Sequence, residues 1–122
     1  MATSLYLAAA LMVAVGIAHS YLGERYLLMR LFRKVDVDAL FGGTDFARRT
    51  LRFAWHATSI AWWGFAAILA LMAGGAVTMR GLALSLAVPL LATAAIVLFA
   101  SRGRHLAWPV FLVAGCIALA AG

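Results

Sequence analysis

Charged side chains are scarce in this chain of 122 residues: 11% are Asp, Glu, Lys or Arg, and four of those are acidic. A soluble domain keeps roughly a quarter of its residues charged, because most of the surface of a small globule faces water. Here 66% of the residues are apolar and the mean hydropathy is +1.03. These values exclude a soluble globular protein and predict one membrane-embedded domain covering residues 1–122.

Cysteine and proline are also rare. The single cysteine, Cys116, excludes an internal disulfide and leaves the redox compartment open. The sequence contains no HxxxH, no HExxH and no cysteine pair, so no metal motif of specific spacing is present. One of the two prolines, Pro89, falls near the middle of an apolar run. A proline there removes one helical hydrogen bond and leaves the carbonyl of Ser85 without its donor.

Four apolar runs cover residues 3–23, 53–73, 81–100 and 106–122. A helix needs about 20 residues, with a range of roughly 17–25, to cross the hydrocarbon core, so the fourth run lies at the lower limit. The runs are continuous and rich in Ala and Leu, without the alternation of barrel strands. The sequence therefore predicts an all-α integral membrane protein with four transmembrane helices in an antiparallel bundle.

Basic residues are distributed unevenly among the connections. Nine of the ten lie between the first and second runs or between the third and fourth, and Arg80 alone lies in the second connection. The positive-inside rule then predicts that both termini face outward (N-out/C-out) in a bacterial-type inner (plasma) membrane. We expect the basic first connection to meet anionic lipids of the inner leaflet, and we expect no nucleic-acid partner. Its basic residues are Arg25, Arg30, Arg33, Lys34, Arg48, Arg49 and Arg52.

The first connection also has a helical pattern of its own. Apolar residues recur at helical spacing from Leu27 to Val35, with basic residues on the other face. This pattern predicts either an extension of the first helix or a short helix lying in the membrane interface. Gly42 and Gly43 are expected to end it, and Thr44 or Asp45 can then cap the next helix.

The three histidines fall at similar depths near the cytoplasmic boundary. His19 lies five residues before Glu24, about 7.5 Å along the helix axis. His56 lies four residues beyond Arg52, about 6 Å into the membrane. His105 directly follows the last arginine of the chain. Ionisable residues within a membrane are costly and mark functional sites, so this grouping is the most informative feature of the sequence.

Three chemistries suit such a group. A transition metal would take His19, Glu24, His56 and His105 as ligands. A haem would take His19 and His56 as axial ligands from different helices. A proton relay would use the same imidazoles, with Ser20 and Ser59 in reach as further partners. The structural alternative is that each histidine bonds a neighbouring serine or carbonyl.

The function expected from these observations is that of a non-enzymatic accessory or scaffold protein acting through helix–helix association. Gly16, Gly23, Gly64 and Gly115 form the small-residue faces that favour close helix contacts, and a homo-oligomer or a membrane-protein partner would use them. The alternative is a metal- or haem-binding, redox-active membrane protein. A second alternative is a small transporter, which would need an oligomer because four short helices enclose little volume. No catalytic residue can be assigned.

Overall fold

The structure, a computed structural model, describes residues 1–34 and 43–122, and every regular element in these ranges is a helix. The elements are α1 (Ala2–Leu22), a π-helical segment (Gly23–Leu28), α2 (Met29–Lys34), α3 (Thr44–Ala73), α4 (Met79–Ser101) and α5 (Ala107–Ala120). Three helices are long and apolar enough to span a membrane: Ala2–Lys34, Thr44–Ala73 and Met79–Ser101. The all-helical class is confirmed for the described residues, and the length and composition of these three helices are consistent with a membrane protein. The apolar helix α5, with 14 residues, is shorter than the run at 106–122.

The first helix continues well beyond the apolar run that begins it. α1, the π-helical segment and α2 form one helix of 33 residues, Ala2–Lys34. Of the two predicted forms of the first connection, an extension of the first helix is the one present up to Lys34. The wide π turn is closed by the N–H of Met29, which donates to the carbonyl of Glu24. The predicted break at Gly42 lies outside the described residues.

α3 begins at Thr44, so the apolar run at 53–73 is only part of it. The added turns are polar, and Arg49 Nε donates to Asp45 Oδ2 at 2.8 Å across one turn. Such a pair of opposite charges four residues apart stabilises a helix without any apolar stripe. The N-cap residue is Gly43, with φ 86°, and it makes no side-chain cap bond. The capping expected of Thr44 or Asp45 is therefore wrong, because Thr44 is already helical.

Each helix packs extensively on its neighbour in the sequence: α1 on α3, α3 on α4, and α4 on α5. α3 is thus the central helix of the packing and contacts both α1 and α4. Close approach to α4 depends on Gly64, where a Cβ would lie 2.7 Å from Pro89 Cγ and 2.9 Å from the carbonyl oxygen of Ser85. The proline ring of α4 is therefore seated against a glycine of α3.

Large apolar side chains on the outer faces remain uncovered by the chain itself. Leu7, Leu11 and Ile17 of α1 are all more than half exposed. The largest fully buried side chains are only Val97 and Ser59. Apolar outer faces suit a hydrocarbon surrounding, where lipid tails are as apolar as leucine. Ser59 is buried although it is polar, and it lies in the contact between α1 and α3.

Candidate functional site

Polar residues on α1 and α3 are spaced so that each helix presents them on one face. Ser20 and Glu24 are four residues apart on α1, and Arg52 and His56 are four apart on α3, with Ser59 three residues further. Residues three and four apart are neighbours on a helix surface. Because α1 packs against α3, these two polar faces meet in the interface between the helices.

Four side chains in this interface form one hydrogen-bonded series, His19, Ser59, Ser20 and His56, and Glu24 lies beside its last member; we call these five side chains the polar chain. His19 Nδ1 lies 3.1 Å from Ser59 Oγ, and the Ser20 hydroxyl donates to Ser59 Oγ at 2.9 Å. His56 Nδ1 lies 3.0 Å from Ser20 Oγ. The other ring nitrogen of His56, Nε2, lies 3.4 Å from Glu24 Oε2. The two imidazoles are therefore connected through two serine hydroxyls.

Arg52 closes the Glu24 end of the polar chain. Its Nη2 lies 2.8 Å from Glu24 Oε1, and its Nε donates to Glu24 Oε2 at 3.0 Å. This two-point geometry matches the planar guanidinium to the carboxylate. The Arg52 side chain is 49% exposed and that of Glu24 is 31% exposed, so the pair contributes only about 0–1 kcal/mol to stability. Its main effect is to fix the position of the carboxylate beside His56.

Two tryptophans of α3 enclose the ring of His19. The Trp55 indole stacks on it with ring centroids 4.3 Å apart and planes 3° from parallel, and Trp62 meets it edge-on at 4.8 Å. Trp55 Nε1 also donates to the carbonyl oxygen of His19 at 2.9 Å. Gly23 makes this position possible, since a Cβ there would overlap the Trp55 indole. The His19 end of the polar chain is aromatic and the Glu24 end is charged.

A second indole on α3 occupies the space beside another glycine of α1. Trp63 Nε1 donates to the carbonyl oxygen of Val13 at 3.3 Å, and a Cβ on Gly16 would overlap the Trp63 ring. Trp63 and Trp55 thus fit against glycines one above the other along α1. They hold α1 at the separation that the hydroxyl groups of the polar chain need.

His105 lies apart from the polar chain. Its Nδ1 accepts a hydrogen bond from the N–H of Ala107 at 3.2 Å, at the start of α5. Its ring lies 6.0 Å from the ring of Phe46 and 5.1 Å from that of Phe53. Within residues 1–34 and 43–122, no three His, Cys, Asp or Glu side chains are grouped so that they could hold a metal ion. The metal and haem hypotheses stay predictions, and His105 has a helix-capping position.

The sequence indicated some of these contacts and missed others. Ser20, Ser59 and Glu24 were expected within reach of the two histidines, and the structure brings them together. The stacking of Trp55 and Trp62 on His19 was not expected, although Trp55 and Ser59 are four residues apart and so share a face. No protein-family model, curated protein or solved structure matches this chain. The geometry of the site is therefore the main indication of function.

Proposed function

We propose that this membrane protein is a proton relay whose working groups are the five side chains of the polar chain. The observation that carries the proposal is the unbroken set of hydrogen bonds from His19 to His56 through Ser59 and Ser20. Hydroxyl groups donate and accept at once, and each imidazole has two nitrogens that exchange roles with its tautomer. Such a series can therefore reverse all its hydrogen bonds when a proton enters at one end.

One proton passes from the Glu24 end of the polar chain to His19 by successive transfers. A proton arriving beside Glu24 is taken by Nε2 of His56, which releases its Nδ1 proton to Ser20. Ser20 passes its own hydroxyl proton to Ser59, and Ser59 passes its proton to Nδ1 of His19. One proton has entered at Glu24, one has been gained at His19, and both hydroxyls now point in the opposite direction.

The surroundings of the polar chain support this role. Ser59 is 0% exposed, so water does not reach its hydroxyl group. Its hydrogen-bond partners are the neighbouring groups of the polar chain, His19 and Ser20. At the receiving end, the parallel Trp55 indole lies against the His19 ring. The face of a tryptophan ring attracts cations, so this indole is a suitable neighbour for a ring that accepts a proton. Histidine is also the side chain whose protonation changes most readily near neutral pH.

The scaffold hypothesis stays a prediction, but the small-residue faces that supported it have another explanation. The four glycines expected to form association faces contact side chains of the same chain: Trp63 for Gly16, Trp55 for Gly23, Pro89 for Gly64 and Leu91 for Gly115. These glycines therefore serve the packing of the protein on itself. Association with another membrane protein stays a prediction that would need a different face.

We further propose the orientation in which the Glu24 end of the polar chain faces the cytoplasm of a bacterial cell, with N and C termini outside. The support is the excess of basic residues in the first and third connections. In this orientation Glu24 and Arg52 lie at the water boundary, and the relay leads protons from the cytoplasm into the membrane. α5 completes the fourth crossing only if the bilayer thins or polar residues flank it, because 14 helical residues rise about 21 Å.

The test is a protonation experiment on the two histidines. The protein, labelled with ¹⁵N at histidine and reconstituted in lipid bilayers, is titrated while the imidazole nitrogen shifts are followed by solid-state NMR. Two ionisable groups that interact by more than about one pK unit titrate in two linked steps that belong to both residues. We expect linked titration of His19 and His56 in the wild type, and independent titration after Ser20→Ala.

Two variants serve as controls. Ser20→Thr keeps the hydroxyl group and should restore linked titration. Thr58→Ala removes an exposed hydroxyl of α3 that bonds only the carbonyl of Ala54 in its own helix, at 3.2 Å, and should change nothing. If His19 and His56 titrate independently in the wild type, or remain linked after Ser20→Ala, the relay does not run through this hydroxyl and the proposal is wrong.

A further inference from the structure

A groove follows one face of the central helix α3 from the polar chain to the opposite end. The residues of α3 and its C-cap that line it include His56, Ile60, Trp63, Ala67, Ala70 and Gly74, together with the adjacent Gly64 and Leu71. The first six are spaced three or four residues apart, which places them on a single helical face. From His56 to Gly74 the helix rises about 27 Å at 1.5 Å per residue, close to the roughly 30 Å of the hydrocarbon core.

The groove consists of three cavities that share their walls. The first, about 460 Å³, lies between Tyr21 of α1 and Trp63 of α3. The second, about 490 Å³, extends from Trp63 past Pro89 of α4 to Ala67. The third, about 500 Å³, extends from Ala67 to Tyr6 near the start of α1. Trp63 and Ala67 each border two cavities, so the three follow one another along α3.

Polar groups in this groove are concentrated at one end. Ser20, Glu24 and His56 of the polar chain all line the first cavity. Further along, the lining is apolar apart from Tyr6 and Ser85, and the Ser85 hydroxyl is already bound to the carbonyl of Gly81 at 2.8 Å. A groove of this kind fits an amphiphile with its head beside the polar chain and a long apolar tail along α3.

The charges at the polar end select the head group. The carboxylate of Glu24 lines the cavity and disfavours a phosphate, and its own charge is balanced by Arg52. Arg25 and the hydroxyl group of Tyr21 supply hydrogen-bond donors. An anionic head would instead find the separate cavity of about 520 Å³, where three arginines, Arg48, Arg49 and Arg52, outnumber the one carboxylate, that of Asp45. The groove therefore suits an uncharged head with acceptor oxygens.

We propose that this groove binds an isoprenoid quinone, with its ring at the Glu24–His56 end and its tail along α3. A quinone ring is planar, carries carbonyl oxygens that accept hydrogen bonds, and bears a long apolar chain. Tyr21 and Trp63 offer aromatic surfaces on either side of the ring position. The inference rests on the proposed relay, because the ring oxygens lie where the polar chain can exchange a proton. It concerns binding alone.

The experiment uses the whole protein in lipid nanodiscs, with ubiquinone-4 as the probe and quenching of tryptophan fluorescence as the readout. We expect saturable quenching at one ubiquinone-4 per chain. Ala67→Phe fills the groove midway without touching the polar chain, and should weaken binding about tenfold, equivalent to about 1.4 kcal/mol. Ala61→Phe adds the same ring at an exposed position of α3 outside the groove and should bind as the wild type does.

Three results would overturn the proposal. They are non-saturable quenching in the wild type, equal binding by the Ala67→Phe and Ala61→Phe variants, and displacement of ubiquinone-4 by phosphatidylglycerol. Squalene, a tail without a ring, should not compete. If the Ala67→Phe variant does not fold, the competition experiments with phosphatidylglycerol and squalene on the wild-type protein still test the proposal. Failure here with linked titration of His19 and His56 intact would leave the relay standing, whereas binding without linked titration would refute the relay alone.

Discussion

Gly23→Ala is the substitution expected to disturb the site most with the least chemical change. In a helix, alanine is intrinsically better than glycine by about 0.5–1 kcal/mol, so without tertiary contacts the variant would be more stable. At this position the new methyl group would overlap the Trp55 indole, and α1 must move away from α3. Overpacking of this kind costs about 1–3 kcal/mol. The same movement stretches the Trp55–His19 hydrogen bond of 2.9 Å.

The expected net effect of Gly23→Ala is destabilisation by about 1–2 kcal/mol, the overpacking term reduced by the propensity gain. It is measured as the free energy of unfolding in mixed detergent micelles. The matched control is Gly74→Ala, where a Cβ would lie 3.4 Å from the Tyr6 hydroxyl, an ordinary contact. In a Trp55→Ala background the overlap is gone, so Gly23→Ala should become neutral or stabilising. A penalty that is the same in both backgrounds, or no penalty in the wild type, would refute the close contact of α1 and α3.

Two further predictions concern α4 and the orientation. Pro89→Ala should fold with little change in the thermal midpoint, whereas Gly64→Ala should lower it clearly, because its methyl group meets both the proline ring and the backbone carbonyl of Ser85. Combining the two should recover only part of the loss, and full recovery would contradict the backbone contact. In a variant lacking the native cysteine, a cysteine at Lys34 should be labelled only from the cytoplasmic side and one at Ala76 only from outside. The reverse pattern would overturn the proposed orientation.

The long helices could be predicted from hydropathy because an isolated apolar segment in lipid must satisfy its own backbone hydrogen bonds, which a helix does. The start of α3 at Thr44 could not, since a polar turn carries no hydropathy signal. The continuation of the first helix to Lys34 was one of the two forms predicted from the spacing of apolar residues from Leu27 to Val35. The contacts of α4 with α3 and with α5 were not predicted, because composition does not reveal which faces of apolar helices meet.

The candidate site was predictable to the extent that depth determines it. Counting residues from the membrane boundary brought His19 and His56 to similar depths, and the structure joins them through Ser20 and Ser59. The same argument included His105, which the structure places beside Ala107 and the phenylalanines of α3. Similar depth alone does not bring two side chains together. Their distance also depends on how each helix is rotated about its axis and on which helices are neighbours.

The role of the glycines shows a second limit of sequence reasoning. A small-residue face indicates close packing but does not identify the partner. Gly16 and Gly23 were consistent with an external helix, yet the tryptophans they accommodate belong to α3 of the same chain. A bulky residue four positions from a buried polar one, as Trp55 is from Ser59, is a signal that could have suggested this pairing.

The measurement that tests the central claim most directly is a set of side-chain contacts in lipid bilayers, obtained by solid-state NMR on protein labelled at histidine, serine and glutamate. The polar chain predicts contacts of the His19 ring with Ser59, and of the His56 ring with both Ser20 and Glu24, at the distances of 3.1, 3.0 and 3.4 Å in the structure. Ring signals of His56 that correlate with lipid acyl chains, and with neither Ser20 nor Glu24, would show that the two helices do not present these groups to each other.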